Sequence, residues 1–469
     1  MVSASNIATT ANSDDQAIIE AGYKPQLKRS LGYFSSFAVS FSFMSVLMGV
    51  FANYGFLLTK AGPFGIWTWP LVGAGQTLVS LVFAEMASRV PLTGALYNWN
   101  IRLANPTIGW LTAWMIFFAY CLGYVGVVVA IFAPLQTFLG VGFGPNKVRV
   151  IGVSIFISLA VINIYGVRLA AHANKLAVIG EIVALFVFGG LILAIILING
   201  EANTALITSV PATPAPYLTG FLMASLLAAW TIFGFESPSD LSEETVNAKR
   251  ITPKSIVSSV VITTAIGWAF LTILTLAIPD VAGVTAAADP VSAIISYHLG
   301  NALTKVFLAF VLIALYASSL IGVTAASRIL FAVARDKRIA GSGLFARVSA
   351  HYVPKLAIVV VVSVQILSFL LFQNASDLYA SPTILLTAAY LITVVSFALG
   401  IKKLPPAQCF SLGRWHGTVV VLALVWLVSE LGILTLPEEF HSAAYIAGGI
   451  LVAGVVVYFV TILLQRTKT

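Results

Sequence analysis

Charge is what this sequence has least of. Of its 469 residues only 9% are Asp, Glu, Lys or Arg, whereas 59% are hydrophobic, and an ordinary soluble domain carries roughly 25% charged residues. A water-facing surface cannot be clothed on that allowance. A chain that crosses a membrane many times can be, because it needs charges only in loops and at a few interior sites. Cysteine is also scarce. Cys121 and Cys409 are the two present, too few for a disulfide framework or a cysteine metal cluster. His172, His298, His351, His416 and His441 are dispersed near loops, with no intramembrane pair at metal-ligand spacing, no Cys-x-x-Cys and no phosphate-cradling loop. These absences argue against an enzyme, and neither a cofactor nor a metal is expected. The opening residues, 1–32, lack the apolar core of a secretory signal and are expected to form a cytoplasmic tail.

What is present is a series of long apolar runs. They fall at Tyr33–Leu58, Ile66–Ala87, Ile108–Phe138, Val150–Tyr165, Leu176–Ile198 and Tyr217–Ser239. Six more follow at Ile256–Ile278, Leu303–Val333, Leu356–Phe372, Thr383–Gly400, Thr418–Leu434 and Ala443–Leu464. Each is long enough for a membrane helix of about 20 residues, so the expected count is twelve. Basic residues test that count, since a missed or invented span would flip every later loop. With both termini inside, Lys60, Lys147, Arg149 and Lys305 alone among the 25 Lys and Arg fall outside. The net charge of +8 is therefore read as orientation, and no nucleic-acid partner is expected. The lipid bilayer is, in a plasma membrane or a bacterial inner membrane.

A helix in hydrocarbon should be uninterrupted, so small, polar and helix-breaking residues gathered at mid-depth need a protein surface or a cavity beside them. Two spans gather them. The first carries Ser40, Ser42, Ser45 and Gly49, with Met48 between, and the sixth carries Trp230, Phe233, Gly234, Phe235, Glu236, Ser237 and Pro238. Small residues are usually packing surface, and for the first span alone packing is the favoured explanation. Glu236 at mid-span would cost about 3 kcal/mol facing lipid, which favours a functional role for the sixth. The two spans are five helices apart. Five is odd, so a repeat of five would sit inverted, and paired broken helices at matching positions point to a transporter's binding site.

Four stretches then resemble the amino acid/polyamine/organocation transporter superfamily, and within it most the amino acid, choline and GABA permease family. They are Ala84–Trp99, with Ser88, Arg89, Pro91, Gly94 and Tyr97; Phe233–Thr245; Ser327–Asp336; and Asn174–Glu181. The resemblance implies an all-α membrane protein of twelve transmembrane helices, a leucine-transporter-like five-plus-five inverted repeat, with helices 1 and 6 discontinuous and both termini inside. On that reading 33–200 is the first repeat, 215–400 the inverted second, 416–465 the peripheral pair and 466–469 a short cytoplasmic tail. The Trp-x-x-x-Gly-x-Glu-Ser spacing of Trp230, Gly234, Glu236 and Ser237 is similar to the arginine/agmatine antiporter's sixth helix. It implies a substrate-contacting aromatic and a proton-sensitive acid. The superfamily's Gly-x-Gly break is here Leu47-Met48-Gly49, without its first glycine, which leaves α-amino acids, GABA, choline and other amines all open.

The candidate substrate-binding set is Ser42, Ser45, Met48, Gly49, Tyr124, Trp230, Phe233, Gly234, Phe235 and Glu236, with Tyr120 beside Tyr124 on one helix. Glu181 lies where relatives often carry a lysine in place of sodium, and with Glu236 it is a candidate proton carrier; Lys175 and His172 are near enough in sequence to pair with it instead. The expected coupling ion is a proton, with Ser318 and Ser319 as sodium ligands in the alternative case. Glu85 and Arg89 stand at ion-pair spacing. With Arg328, Arg335 and Asp336 they are read as an inner gate or scaffold network, with anchoring on the positive-inside side as the plain alternative. The function expected is secondary active transport of a GABA-like, cationic or neutral amino acid or related amine by alternating access. A choline or polyamine permease, an exchanger of the same fold and a transporter-like receptor are the rivals. The sequence carries no signal for oligomeric state.

Overall fold

A computed structural model describes residue 19 and residues 29–165, 177–210, 217–349, 353–372 and 374–466. These residues are helical with no β-strand among them; the one β-bridge joins Leu31 to Thr245. Helices dominate for a physical reason. In hydrocarbon each backbone N–H and C=O must be satisfied within its own segment. Ten helices among the described residues are long and apolar enough to cross a membrane, and two shorter apolar ones, Tyr217–Thr231 and Lys355–Leu371, lie where the sequence places its sixth and ninth spans.

The first run is two helices, α1 (Tyr33–Phe43) and α2 (Val46–Ala61). Then come α3 (Thr68–Arg89), α4 (Ala95–Leu103), α5 (Pro106–Leu139), α6 (Pro145–Tyr165) and α7 (Ala177–Ile198). The sixth run is three pieces, α8 (Tyr217–Ala224), α9 (Leu226–Thr231) and the short α10 (Ser237–Asp240). The chain continues through α11 (Ala248–Leu276), α12 (Pro290–Arg335), α13 (Lys355–Leu371), α14 (Ala375–Gly400), α15 (His416–Thr435) and α16 (His441–Arg466).

Besides the seventh run, which begins at Ala248 instead of Ile256, three departures from the sequence boundaries stand out. The tenth run begins at Ala375 instead of Thr383, because Pro382 sits inside α14 without ending it; the next hydroxyl, Thr383 Oγ1, donates to the Tyr379 carbonyl 2.7 Å away. The eighth run starts at Pro290, but Gly300 takes φ 69° and ψ 171°, a break close to the expected start at Leu303. The third change is α4, which the sequence reading leaves as part of a loop. Gly94 at φ 91° starts it, its buried face carries Leu96, Tyr97 and Trp99, and Asn100 donates to Thr393 of α14 at 2.7 Å.

The packing follows the breaks. α2 lies against α8 and α9, α3 against α11, α5 against α12 and α14, and α6 against α13. Close approach needs small residues: a Cβ at Gly49 would collide with Thr231, and one at Gly267 with Trp69. α16 is the least buried of the ten long apolar helices, and Val452, Val456, Phe459 and Leu463 are exposed along it. Apolar groups on that face suit lipid. At the other end of the chain the backbone of Ser30 and Leu31 donates to the Glu244 carbonyl and Val246 donates back to Leu31. Arg29 reaches the carbonyls of Ser242 and Thr245. The approach to α1 is thereby tied to the exit from α10.

Candidate functional site

The two broken runs meet. The first is interrupted at Met44 and Ser45, where Met44 takes φ −94°, ψ 32° and Ser45 takes φ −49°, ψ 118°. Ser45 Oγ accepts from Met48 N–H at 3.2 Å and so restarts the helix as its N-cap. This corrects one expectation. The break precedes Leu47-Met48-Gly49, and Gly49 is inside α2, where its role is contact with Thr231. The sixth run opens after Thr231, and Gly234 at φ 73° carries the turn. An L side chain is strained there, and a Cβ would run into the Phe43 ring.

Glu236 follows that turn and is 1% exposed. Its Oε1 accepts from the Tyr120 hydroxyl at 2.8 Å, and its Oε2 accepts from the Tyr390 hydroxyl. Tyr390 in turn accepts from Gly234 N–H at 2.9 Å. One tyrosine thus holds both the turn's free backbone donor and the acid. Tyr390 escaped sequence reading because a lone tyrosine in a long apolar run carries no local signal.

Aromatic rings close around these atoms. Phe43 lies 5.0 Å from Tyr120, 5.5 Å from Tyr124 and 6.2 Å from Phe233, centroid to centroid. Trp230 stands edge-on to Tyr379 at 4.9 Å. Phe235 packs against Tyr390 and Phe83, at 5.1 and 5.7 Å. A narrow cavity reaches the acid, lined by Tyr97, Tyr120, Glu236 and Asp240 among others.

Glu181 comes from α7 to the other break. Its Oε1 accepts from Ser45 Oγ at 2.9 Å and from Leu47 N–H at 3.3 Å. The carboxylate sits on the N-terminus of α2, where unpaired N–H groups and the helix dipole favour negative charge. Just beyond Glu181 the helix widens into a π turn at Ala184–Phe188. The alternative partners Lys175 and His172 lie outside the described residues, as does Asn174. Ser318 Oγ donates to the Ser42 carbonyl at 3.4 Å and lies equally close to Met48 Sδ. Ser319 instead donates to Leu315 in its own helix.

The charged residues divide into groups. Arg89 grips Glu85 Oε1 through Nε at 3.0 Å and Nη2 at 2.6 Å, and donates Nη1 to the Pro405 carbonyl. Glu85 Oε2 accepts from Leu412 N–H. The pair thus fastens α3 to the segment leading into α15. Arg335 and Asp336 lie at the end of α12, where Tyr97 donates to Asp336 at 2.8 Å. Arg328 interacts electrostatically with Asp240. Two further acids inside spans were not singled out from sequence: Asp377 in the first turn of α14 accepts from Ser442 at 3.1 Å, and Glu430 of α15 accepts from Gln76 of α3 at 2.9 Å and from Thr387 of α14 at 3.3 Å.

This geometry of two packed, broken membrane helices has a counterpart in sequence comparison, because a family model described as "Amino acid permease" matches residues 31–463. The chain belongs to the amino acid permease family. The permease is 28% identical to the amino-acid permease BAT1 of Arabidopsis thaliana over 91% of this chain and 89% of that protein. It is 24% identical to an uncharacterized amino-acid permease of Schizosaccharomyces pombe, over 96% and 86% of the two chains. It is likewise 24% identical to the thiamine transporter thi9 of that organism, over 96% and 85%. These relatives are named as permeases and transporters, not as enzymes. The permease is a multi-pass membrane protein, and the family places it among transporters of amino acids or related compounds.

Proposed function

We propose that the chain is a secondary active transporter that carries an amino acid or related amine through a site between the two broken helices, by alternating access. The observation that carries this reading is the junction itself, where Gly49 meets Thr231 and Gly234 meets Phe43, with a buried acid at each break. Unwound turns leave backbone donors and acceptors that suit a zwitterion or amine, and a rigid-body rocking motion around them opens the site to either side. The substrate-binding roles proposed above for Ser42, Ser45, Met48, Tyr124, Trp230, Phe233, Gly234 and Glu236 belong to this reading. Glu85, Arg89, Arg328, Arg335 and Asp336 remain its proposed inner gate.

Twelve spans with both termini inside and a five-plus-five inverted repeat complete the architecture we infer. Its support is the pairing of packed segments. First with sixth, second with seventh, third with eighth and fourth with ninth are all in contact, and each pair is five spans apart, as expected for elements related by a two-fold axis in the membrane plane. Proton coupling through Glu236 and Glu181 is the proposed energy source. Sodium held near Ser318 and the Ser42 carbonyl is the competing proposal. Choline, GABA and polyamines stay within the substrate class, and the thiamine transporter among the relatives favours keeping organic cations in it.

The test is purified protein in liposomes, with counterflow of labelled amino acids, GABA, choline and polyamines, run with and without a pH gradient. Counterflow of at least one is expected. Folded protein that exchanges none of them would remove the transport reading and leave a receptor of the same fold.

A further inference from the structure

We propose that the site selects organic cations that lack a carboxylate next to the amine, because Glu181 already occupies the position where a substrate carboxylate would bind. This rests on the transport site proposed above and narrows its substrate. The N-terminus of α2 is the anion-binding end of the broken first run. Its Leu47 N–H and the Ser45 hydroxyl both point at Glu181 Oε1, and Met48 N–H is taken by Ser45 Oγ. A carboxylate arriving with the substrate would find these donors taken and, while Glu181 is ionised, a like charge in its way.

The rest of the site suits a cation. Glu236 at the second break receives two tyrosine hydroxyls and, among the described residues, no cationic side chain within bonding distance. Among the described residues no lysine or arginine is buried, so no described cation neutralises these two acids at depth. Tyr120, Tyr124 and Phe233 each lie within 6.2 Å of Phe43, and aromatic ring faces attract ammonium and guanidinium groups. An independent sign of a ligand site comes from polar atoms. Ser42 Oγ, Trp230 Nε1 and Ser237 Oγ, on the same two broken segments, are buried without a hydrogen-bond partner. Buried polar atoms rarely go unpaired, and a hydrogen-bonding ligand between the breaks would satisfy them.

The experiment measures equilibrium binding to the full-length protein in detergent by ligand-induced thermal shift and by displacement. It uses pairs that share a cation and differ by a carboxylate: agmatine with arginine, cadaverine with lysine, choline with glycine betaine. In at least one pair the member without the carboxylate binds about tenfold or more tightly, corresponding to about 1.4 kcal/mol. Glu181→Ala, which frees Ser45 and Leu47 N–H, shrinks that ratio toward one or reverses it; Glu181→Gln, which keeps the shape without the charge, moves it the same way by less. Carboxylate-bearing members binding as tightly as their partners, or no binding by any of the six, overturns the proposal. The wild-type comparison decides this even if Glu181→Ala does not fold. Counterflow with the same compounds tests transport separately: selective binding without counterflow would support the cation site and remove the transport reading.

Discussion

Glu181 and Ser45, 136 positions apart in the chain, share a 2.9 Å hydrogen bond at the point where the first membrane run restarts as a helix. The contact makes the N-cap of α2 a two-part device, in which Ser45 caps Met48 N–H while Glu181 takes Leu47 N–H. Ser45→Ala removes both the cap and a donor to a buried carboxylate. The cap alone is worth about 1 kcal/mol. The variant is expected to melt below wild type in detergent and to lose most counterflow, while Ser45→Thr, which keeps the hydroxyl, retains both. Equal melting temperatures for Ser45→Ala and wild type would show that the cap contributes nothing.

Gly234 and Phe43 define the meeting of the two breaks. Gly234→Ala adds a methyl group at φ 73°, costing about 1–2 kcal/mol in backbone strain alone, and drives it into the Phe43 ring. Counterflow is expected to fall by an order of magnitude or more, about the factor that 1.4 kcal/mol implies. Adding Phe43→Leu should recover the steric part but not the strain. A double variant no better than the single one would mean that ring contact is not what fixes the turn.

Tyr390 and Tyr120 both donate to Glu236, but Tyr390 also accepts from Gly234 N–H. Tyr390→Phe therefore strands a buried amide as well as a carboxylate oxygen, at about 1–3 kcal/mol for each unsatisfied group. Tyr120→Phe strands one acceptor. The expected order of damage, in thermal stability and in transport rate, is Tyr390→Phe greater than Tyr120→Phe. The reverse order would mean that the turn does not depend on Tyr390.

Much of this was legible from the residues, and the illegible part has a physical explanation. Glu236 announced itself, because an acid beside glycine and proline in an apolar run violates two rules at once. The break in the first run was also visible as a cluster of hydroxyls, but its position was misplaced at Gly49. What fixes it is a cap made jointly with Glu181, and no local pattern encodes a partner 136 residues away. Tyr390 was invisible for the same reason. Its neighbours in the chain are ordinary, and its importance comes from lying opposite Gly234. α4 was hidden differently, since its Trp99 and Tyr97 read as motif letters in a loop, whereas in the structure they are the buried face of a short helix.

Arg89 and Glu85 form a fork that also holds the Pro405 and Leu412 backbone. Glu85 is 1% exposed, so Arg89→Ala leaves a carboxylate without its cation in a dry place. Removing one partner of such a pair costs about 3–5 kcal/mol. Arg89→Ala should melt far below wild type, and the double variant Arg89→Gln with Glu85→Gln should recover part of the loss, since neither residue then carries a charge. Arg89→Lys should fall between wild type and the alanine variant, because one ammonium keeps a cation beside Glu85 but cannot also span the Pro405 carbonyl with the fork's geometry. A melting temperature for Arg89→Ala within a degree of wild type would show that the pair is not what fastens α3 to this segment.

Glu430 and Glu236 are both buried acids within membrane spans, yet their surroundings lead to opposite expectations. Glu236 sits on a broken helix beside a cavity. Glu430 sits in the unbroken α15, bonded to Gln76 and Thr387 where α15 meets α3 and α14, and a Cβ at Gly75 would overlap its neighbour Trp426. Nothing in that packing needs to open for substrate to pass. Glu430→Gln preserves the shape and can still accept from Thr387, so it should transport at the wild-type rate with wild-type pH dependence. Glu430→Leu should instead lose stability by about 1–3 kcal/mol, since the Gln76 amide is left in an apolar interface without a partner. Under the proton-coupling proposal, Glu236→Gln is expected to abolish accumulation driven by a pH gradient while leaving exchange at equal pH measurable. The decisive comparison is accumulation against a pH gradient in the two Gln variants, side by side in the same liposomes. If Glu430→Gln abolishes it and Glu236→Gln does not, the coupling acid lies at the α3–α14–α15 junction instead of the broken helices, and the proposed proton site must move there.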